Sequence, residues 1–371
     1  MRLDAHYYGV LGFSRACGFN KESACRVAYA SQFVDDASIN YIMIKGQPGS
    51  IQYDLIDNKP AFFNMAASSS YRTVKAFNYC TMVNNTIAFH FVPGCRGESF
   101  VKKLRCMEES PIILELLDRV LKQDDLIALG IVLHGYADTF SHQGFSGLLS
   151  KVNDITECTA ESALPWLFID GISLFLKDIF KPDFDNLYDV VIPAYGHAQA
   201  WIYPDLPYLT WSYKYDYTDE FSEVFKLTLI DNRRRYKQAF QKIRIYLEEY
   251  LARFPKYRDK NNDFKDFPSL FDTLLTEGTS RGRISNWEKL LVRKGLFNQS
   301  EIVEIKYDKE KWLKEAFVDY RKVKYDDARV EGAVLSPNLP NSNWYKFCKA
   351  VKWYKKNFFE CCTKNSLYIP R

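Results

Sequence analysis

The sequence predicts an all-α fold, mainly a helical bundle, with an irregular or short-hairpin insert at about residues 41–100. Helix-period apolar patterns bounded by capping residues recur along most of the chain. One of them, from Leu126 to His142, is apolar nearly all round, which is how a buried central helix reads. Only the stretch near 41–100 replaces that period with short alternating pieces.

In chain order, Tyr7 to Cys17 forms the first helix and Gly18 stops it; Asn20 then caps a second helix through Phe33, which closes a helical hairpin. The pieces Ile51-Gln-Tyr-Asp-Leu-Ile and Thr86-Ile-Ala-Phe-His-Phe-Val alternate ahead of Pro93 and Gly94, and they read as loops with a short hairpin. Helices resume at Pro111 to Leu121 and Asp124 to His142, then at about 160–180, and a long polar one runs from about Asp219 to Phe254. The charged, turn-rich residues 256–265 mark a boundary between residues 1–254 and a C-terminal helical extension, 255–371. That extension carries helices at about 281–296, 308–322 and 342–359, with a linker rich in Pro and Asn from Ala333 to Asn343.

Hydrophobic residues at 47% and charged residues at 26% describe an ordinary globular chain. A net charge of +4 is too mild to indicate nucleic acid. The sequence has neither a signal-peptide pattern at Met1 nor an apolar run of about 20 residues, so a cytoplasmic protein is expected. Nine scattered cysteines without a C-x-x-C pair read as reduced thiols. No P-loop and no strand-linked G-x-G-x-x-G is present, which removes support for nucleotide-fuelled or nicotinamide chemistry.

The central helix carries chemistry that its apolar character makes expensive. His134, Asp138 and His142 stand at i, i+4 and i+8, so one face presents imidazole, carboxylate and imidazole in successive turns. A buried carboxylate costs several kcal/mol unless hydrogen bonds or a cation compensate, and a metal ion does so directly. The other histidines are His6, His90 and His197, and none of the five lies in the C-terminal third. Asp4, Asp35, Asp36 and Asp205 accompany them, and mixed His and Asp donors suit zinc or another divalent ion.

The order His6, Asp35 and Asp36, His90, His134, Asp138, His142, His197 resembles the superfamily of zinc-dependent phospholipase C and single-strand-specific nucleases, all-helical enzymes with a three-zinc cluster. Phe89-His-Phe-Val and His134-Gly-Tyr-Ala-Asp-Thr-Phe-Ser-His are similar to its metal motifs. Asp4-Ala-His-Tyr-Tyr-Gly, Tyr29-Ala-Ser-Gln-Phe-Val-Asp-Asp and Tyr136-Ala-Asp-Thr-Phe-Ser-His-Gln-Gly-Phe-Ser-Gly look like an uncharacterised bacterial family, which brings no activity with it. The resemblance covers residues 1 to about 215 and implies that Asp35 or Asp36, His90, His134 and Asp138 hold one ion, that Asp138 bridges to a second ion held by His6, and that His142 and His197 hold a third. Secreted members of that superfamily use the amino terminus of a processed Trp as a ligand, for which Asp4 is the expected substitute here. They also place a carboxylate one turn after the last histidine, where this chain has Trp201, and Asp205 is the nearest acid.

The function expected from this set is metal-dependent hydrolysis of phosphoester bonds, phospholipase C-like or nuclease-like, with two or three zinc ions and with Asp35, Asp36 and Asp138 as catalytic candidates. The substrate is a lipid or nucleic-acid phosphoester. The alternative is a non-catalytic helical interaction module whose metal site is structural or degenerate. A di-iron carboxylate centre lacks its Glu-x-x-His pair, and an HD-type phosphohydrolase lacks its His-Asp dipeptide. Ser146 follows His142 in a flexible turn without a Gly-x-Ser-x-Gly elbow and reads as a helix stop lining the site. Residues 344–359 interleave Lys346, Lys349, Lys352, Lys355 and Lys356 with aromatics, a pattern suited to an anionic membrane surface or to a packed helix with a solvated lysine face.

Overall fold

Asp125 caps a helix, Leu126–Ser141, in which every residue is buried, and the rest of the molecule is laid around it. The computed structural model describes residues 1–46, 48–49, 51–69, 78–160, 194–215, 228–323 and 329–370. The helix pair expected at the start is present: a π-helical stretch Asp4–Gly9 runs into α1 (Val10–Ala16), Gly18 turns the chain at φ 102°, and the Asn20 side chain accepts from the Ser23 amide to start α2 (Lys21–Asp36). Ser110 and Asp125 likewise cap α3 (Pro111–Val120) and the central helix, α4 (Leu126–Ser141). Further on come α5 (Asn232–Arg253), α6 (Phe267–Leu274), α7 (Ser280–Arg293) and α8 (Asn343–Lys364).

The fold is mixed α and β, which corrects the all-α expectation. One sheet has the order β2-β3-β1-β7, from β1 (Tyr41–Ile44), β2 (Asp54–Ile56), β3 (Lys59–Phe63) and β7 (Arg329–Ala333). The other has the order β4-β5-β6, from β4 (Ile155–Ala160), β5 (Thr210–Tyr215) and β6 (Thr228–Asp231). The expected hairpin is β2–β3, closed by Asp57 and Asn58, both at positive φ as a two-residue turn requires. The second alternating piece is not a strand: Met82–His90 is π-helical. The helix expected from Asp219 starts only at Asn232, after β6, and residues 216–227 lie outside the described residues, as does the helix expected at about 160–180. The helix expected over 308–322 is two short ones, Lys311–Ala316 and Tyr320–Val323, separated by extended backbone at Phe317.

One cluster of buried apolar side chains runs from Met1 to Leu367, so residues on both sides of Pro255 share a core. Helix α8 turns Trp344, Phe347, Val351, Tyr354 and Phe358 into it. Of the α8 lysines, Lys355 is buried and Lys352 pairs with Asp54 at 2.6 Å, while Lys349 and Lys356 are exposed. No helix among the described residues is long and apolar enough to cross a membrane.

The approach of α2 to α4 depends on Gly130. A Cβ at that position would collide with the Val27 carbonyl oxygen and meet the Ala30 Cβ at 2.7 Å. Gly130→Ala is therefore expected to lower the unfolding free energy by about 1–3 kcal/mol in a urea titration. Unchanged stability would show that the two helices can separate at no cost.

Candidate metal centre

Helix α4 sets the frame, because its i, i+4 spacing stacks His134, Asp138 and His142 along one buried stripe. Two π-helical segments bring the next histidines to it, His6 within Asp4–Gly9 and His90 at the end of Met82–His90. Such segments are rare and recur at functional sites, because the wider turn re-aims a side chain that an α-helix would carry past. The end of α2 contributes Asp35, and the loop before β5 contributes His197 and Asp205.

These side chains form three adjoining groups able to hold a metal ion: His6, His134 and Asp138; Asp35, His90 and His134; and His142, His197 and Asp205. Within each group the ligand atoms lie within 4.8 Å of one another. Asp138 Oδ1 lies 3.0 Å from His6 Nε2, and Asp138 Oδ2 lies 3.2 Å from His90 Nδ1 and 3.3 Å from His134 Nε2. Asp35 Oδ1 is 3.7 Å from both His90 Nδ1 and His134 Nε2. In the outer group, Asp205 is 3.3 Å from His142 Nε2 and 3.8 Å from His197 Nε2.

Carbonyl oxygens fix three of the imidazoles. The His90 Nε2–H faces the Ala67 carbonyl at 3.0 Å, the His142 Nδ1–H faces the His90 carbonyl at 2.8 Å, and the His197 Nδ1–H faces the Trp201 carbonyl at 2.9 Å. In each ring the other nitrogen turns to the cluster, which is how second-shell carbonyls orient metal ligands. His6 and His134 stack with ring centroids 3.9 Å apart, and their Nδ1 atoms have no hydrogen-bond partner.

The electrostatics suit cation binding. Burial pulls the His6 and His197 imidazoles down to about 4 and His134 well below its usual value, so all three are neutral at pH 7. Burial works against the Asp138 carboxylate, but His142, the Met1 ammonium, His6 and His134 hold its pKa well below the usual range. Asp205 is held low against its burial by the same ammonium, His197 and His142. Asp35 moves the other way: its recessed position and the facing Asp138 raise it, although its side chain keeps 29% of its surface exposed.

The structure separates the candidates of the sequence. Asp35, His90, His134, Asp138 and His6 converge, and His142, His197 and Asp205 adjoin them. Asp36 does not belong, since its Oδ2 accepts from the Tyr307 hydroxyl at 2.8 Å. Asp4 is in none of the three groups: it pairs with Arg283 at 2.7 Å, whose guanidinium holds it below the usual range against the effect of burial. The Met1 nitrogen lies 2.6 Å from Asp138, 3.1 Å from Asp205 and 3.4 Å from His142 Nε2. Burial opposes its charge, but Asp138, Asp205 and Asp35 push its pKa up to about 11. The Ala67 and Trp201 carbonyls carry no side-chain signature and were not legible.

A mixed α and β chain with a buried His and Asp cluster of this kind defines a candidate multi-metal protein. The chain belongs to a family of unknown function, DUF6765, whose model matches residues 1–362. No curated protein and no solved structure matches it.

Asp138→Asn is expected to reduce any divalent metal retained after desalting to below about half, because it removes the carboxylate that all the inner histidines face. Asp118→Asn, a surface change on α3 where the acid pairs with Lys122, is expected to retain metal like the unaltered chain by elemental analysis. Equal losses would reduce the cluster to a folding requirement.

Lys355 supports the same site from the C-terminal third. Its ammonium donates to the Ala66 carbonyl at 2.7 Å, the Asn64 side chain at 2.8 Å and the Asn85 side chain at 3.2 Å, beside the Ala67 carbonyl that orients His90. Lys355→Met is expected to weaken divalent-metal affinity about tenfold in a competition titration while the far-UV circular dichroism is kept. Unchanged affinity would confine Lys355 to packing.

Proposed function

We propose that this protein is a metal-dependent hydrolase of phosphoester bonds that holds two or three zinc ions in the three adjoining groups. The observation that carries the reading is their sharing: His134 belongs to two groups, and Asp138 lies within 3.3 Å of nitrogens of three histidines. A single structural ion has no use for so many donors, whereas neighbouring ions need bridging ones. When bound, such ions lower the pKa of a water toward neutrality, polarise the phosphoryl oxygens and stabilise the leaving oxygen.

The residues of the chain have distinct parts in this reading. His6, His134 and Asp138 are almost fully buried and form the rigid floor. Asp35, Asp205 and His197 keep 29%, 17% and 13% of their side chains exposed and form the rim at which a phosphoester arrives. Asp35, on the exposed rim with Oδ1 3.7 Å from His90 Nδ1 and His134 Nε2, is the group placed to orient the attacking water and take its proton. The accessible rim favours an enzyme over an interaction module whose metal would be sealed. The nine free thiols favour the cytoplasm as its compartment.

Purified protein loaded with zinc is expected to hydrolyse bis(p-nitrophenyl) phosphate, to lose that activity on chelation and to regain it with zinc. Asp35→Asn is expected to lower kcat by about 100-fold or more, and Asp36→Asn by less than about threefold. Metal-loaded protein inert towards phosphodiesters and phosphomonoesters alike would overturn the proposal.

A further inference from the structure

Beside the loop that follows α4 lies a second cavity, of about 660 Å³, that none of the metal-site side chains lines. Arg96, Lys102, Arg105 and Arg235 face it, with Glu98 as the one carboxylate among them. The two inner guanidiniums are fixed in place. Arg105 is buried, its Nε donating to the Gly144 carbonyl at 2.9 Å and its Nη2 to the Tyr215 hydroxyl. Arg235 donates to the Ser141 carbonyl at 3.4 Å and to the Gln143 side-chain oxygen at 3.0 Å. Both of those partners are neutral, and among the described residues no carboxylate lies within ion-pair distance of Arg235, Arg96 or Lys102.

Another wall is apolar, made by Met107, Tyr213, Ile230 and Leu229. Leu229 keeps 68% of its surface exposed on β6, next to this lip of cations. Glu108 acts on the recessed Arg235 guanidinium electrostatically without forming an ion pair with it, and an exposed leucine lies beside it; a ligand that joins an anion to an apolar body adds the close counter-charge and covers the leucine. The volume is that of a small-molecule site.

We infer that this cavity binds an amphipathic anion. A phosphate, sulfonate or carboxylate head sits among Arg96, Lys102, Arg105 and Arg235, and an alkyl or aryl body lies along Met107, Leu229 and Ile230. The inference is independent of the hydrolase reading, since no metal-site side chain takes part.

The test is isothermal titration of the full chain with monomeric decanesulfonate, a poor metal ligand that holds no phosphoester. Saturable one-to-one binding is expected. It should weaken at least about tenfold in Arg96→Glu/Lys102→Glu and in Leu229→Asp, and stay unchanged in Asp138→Asn. Ethanesulfonate, the head without the body, and decyltrimethylammonium, the body with the opposite charge, should each bind at least about tenfold more weakly. Thermal denaturation confirms that each variant is folded. Flotation with phosphatidylglycerol vesicles separates the sources of the ligand: flotation lost in the double variant assigns the anion to a bilayer lipid, and monomer binding without flotation assigns it to a free amphiphile. Wild-type affinity in the folded double variant, equal binding of decyltrimethylammonium, or loss of binding in Asp138→Asn would each overturn the inference.

Discussion

A carboxylate with essentially no solvent contact, Asp138, is the constraint around which this molecule is arranged. Taking an unpaired carboxylate out of water costs several kcal/mol, and the apolar surroundings of α4 offer no relief of their own. Relief comes instead from separate parts of the chain: the Met1 amine, His6 from one π-helical segment, His90 from another, and His134 one turn back on α4 itself. A hydrogen-bonded ammonium already answers part of the negative charge of Asp138 and Asp205. That ammonium directs its N–H groups at Asp138, Asp205 and His142 Nε2 and so occupies part of the donor set; the histidine and aspartate donors as a whole are arranged in groups that could hold a metal ion.

Holding those donors in place is the task of residues far away in sequence. Arg283 on α7 pairs with Asp4, two residues before His6, with both groups buried. On α8, the Tyr354 hydroxyl donates to the Ala88 carbonyl and Lys355 ties down Asn64 and Ala66, so the segments on both sides of the His90 ring are pinned. Burial alone pulls the Lys355 ammonium down to about 7, and the oxygens around it work in the opposite direction. Among the described residues the C-terminal third thus donates no candidate ligand yet fixes the positions of two. A shared core from Met1 to Leu367 is what allows it to do so.

What could be read from the sequence followed from periodicity and from local chemistry. The register of His134, Asp138 and His142, the caps Asn20, Ser110 and Asp125, and the turn at Asp57 and Asn58 are local, and the candidate site rests on the first of these. The sheets were missed for two reasons. Strand β5 does alternate, with Trp211, Tyr213 and Tyr215 buried and the residues between them less so, but helix patterns on either side outweighed it. Strand β7 pairs in parallel with β1 from almost 290 residues away, a contact that no local window contains. Asp36 and Asp35 are chemically identical neighbours on α2, and only the rotation of the helix end decides that Tyr307 takes one while the cluster takes the other.

The outer group of donors reveals how much the chain gives up to complete the site. After His197 the chain makes only a short turn, Ala198–Ala200, and then reverses at Trp201. Trp201 sits at φ 55° and ψ −128°, a conformation that costs a non-glycine residue about 1–3 kcal/mol. Two consequences follow from that one residue. Its carbonyl accepts from His197 Nδ1, which leaves Nε2 free, and the reversal of the chain carries Asp205 back to His142 and His197. Trp201 also packs against the apolar cluster of Ala200, Ile202, Leu206 and Leu209, which offsets part of that strain. One residue thus ties a second apolar cluster to the placing of the third group of donors, His142, His197 and Asp205, beside the inner ones.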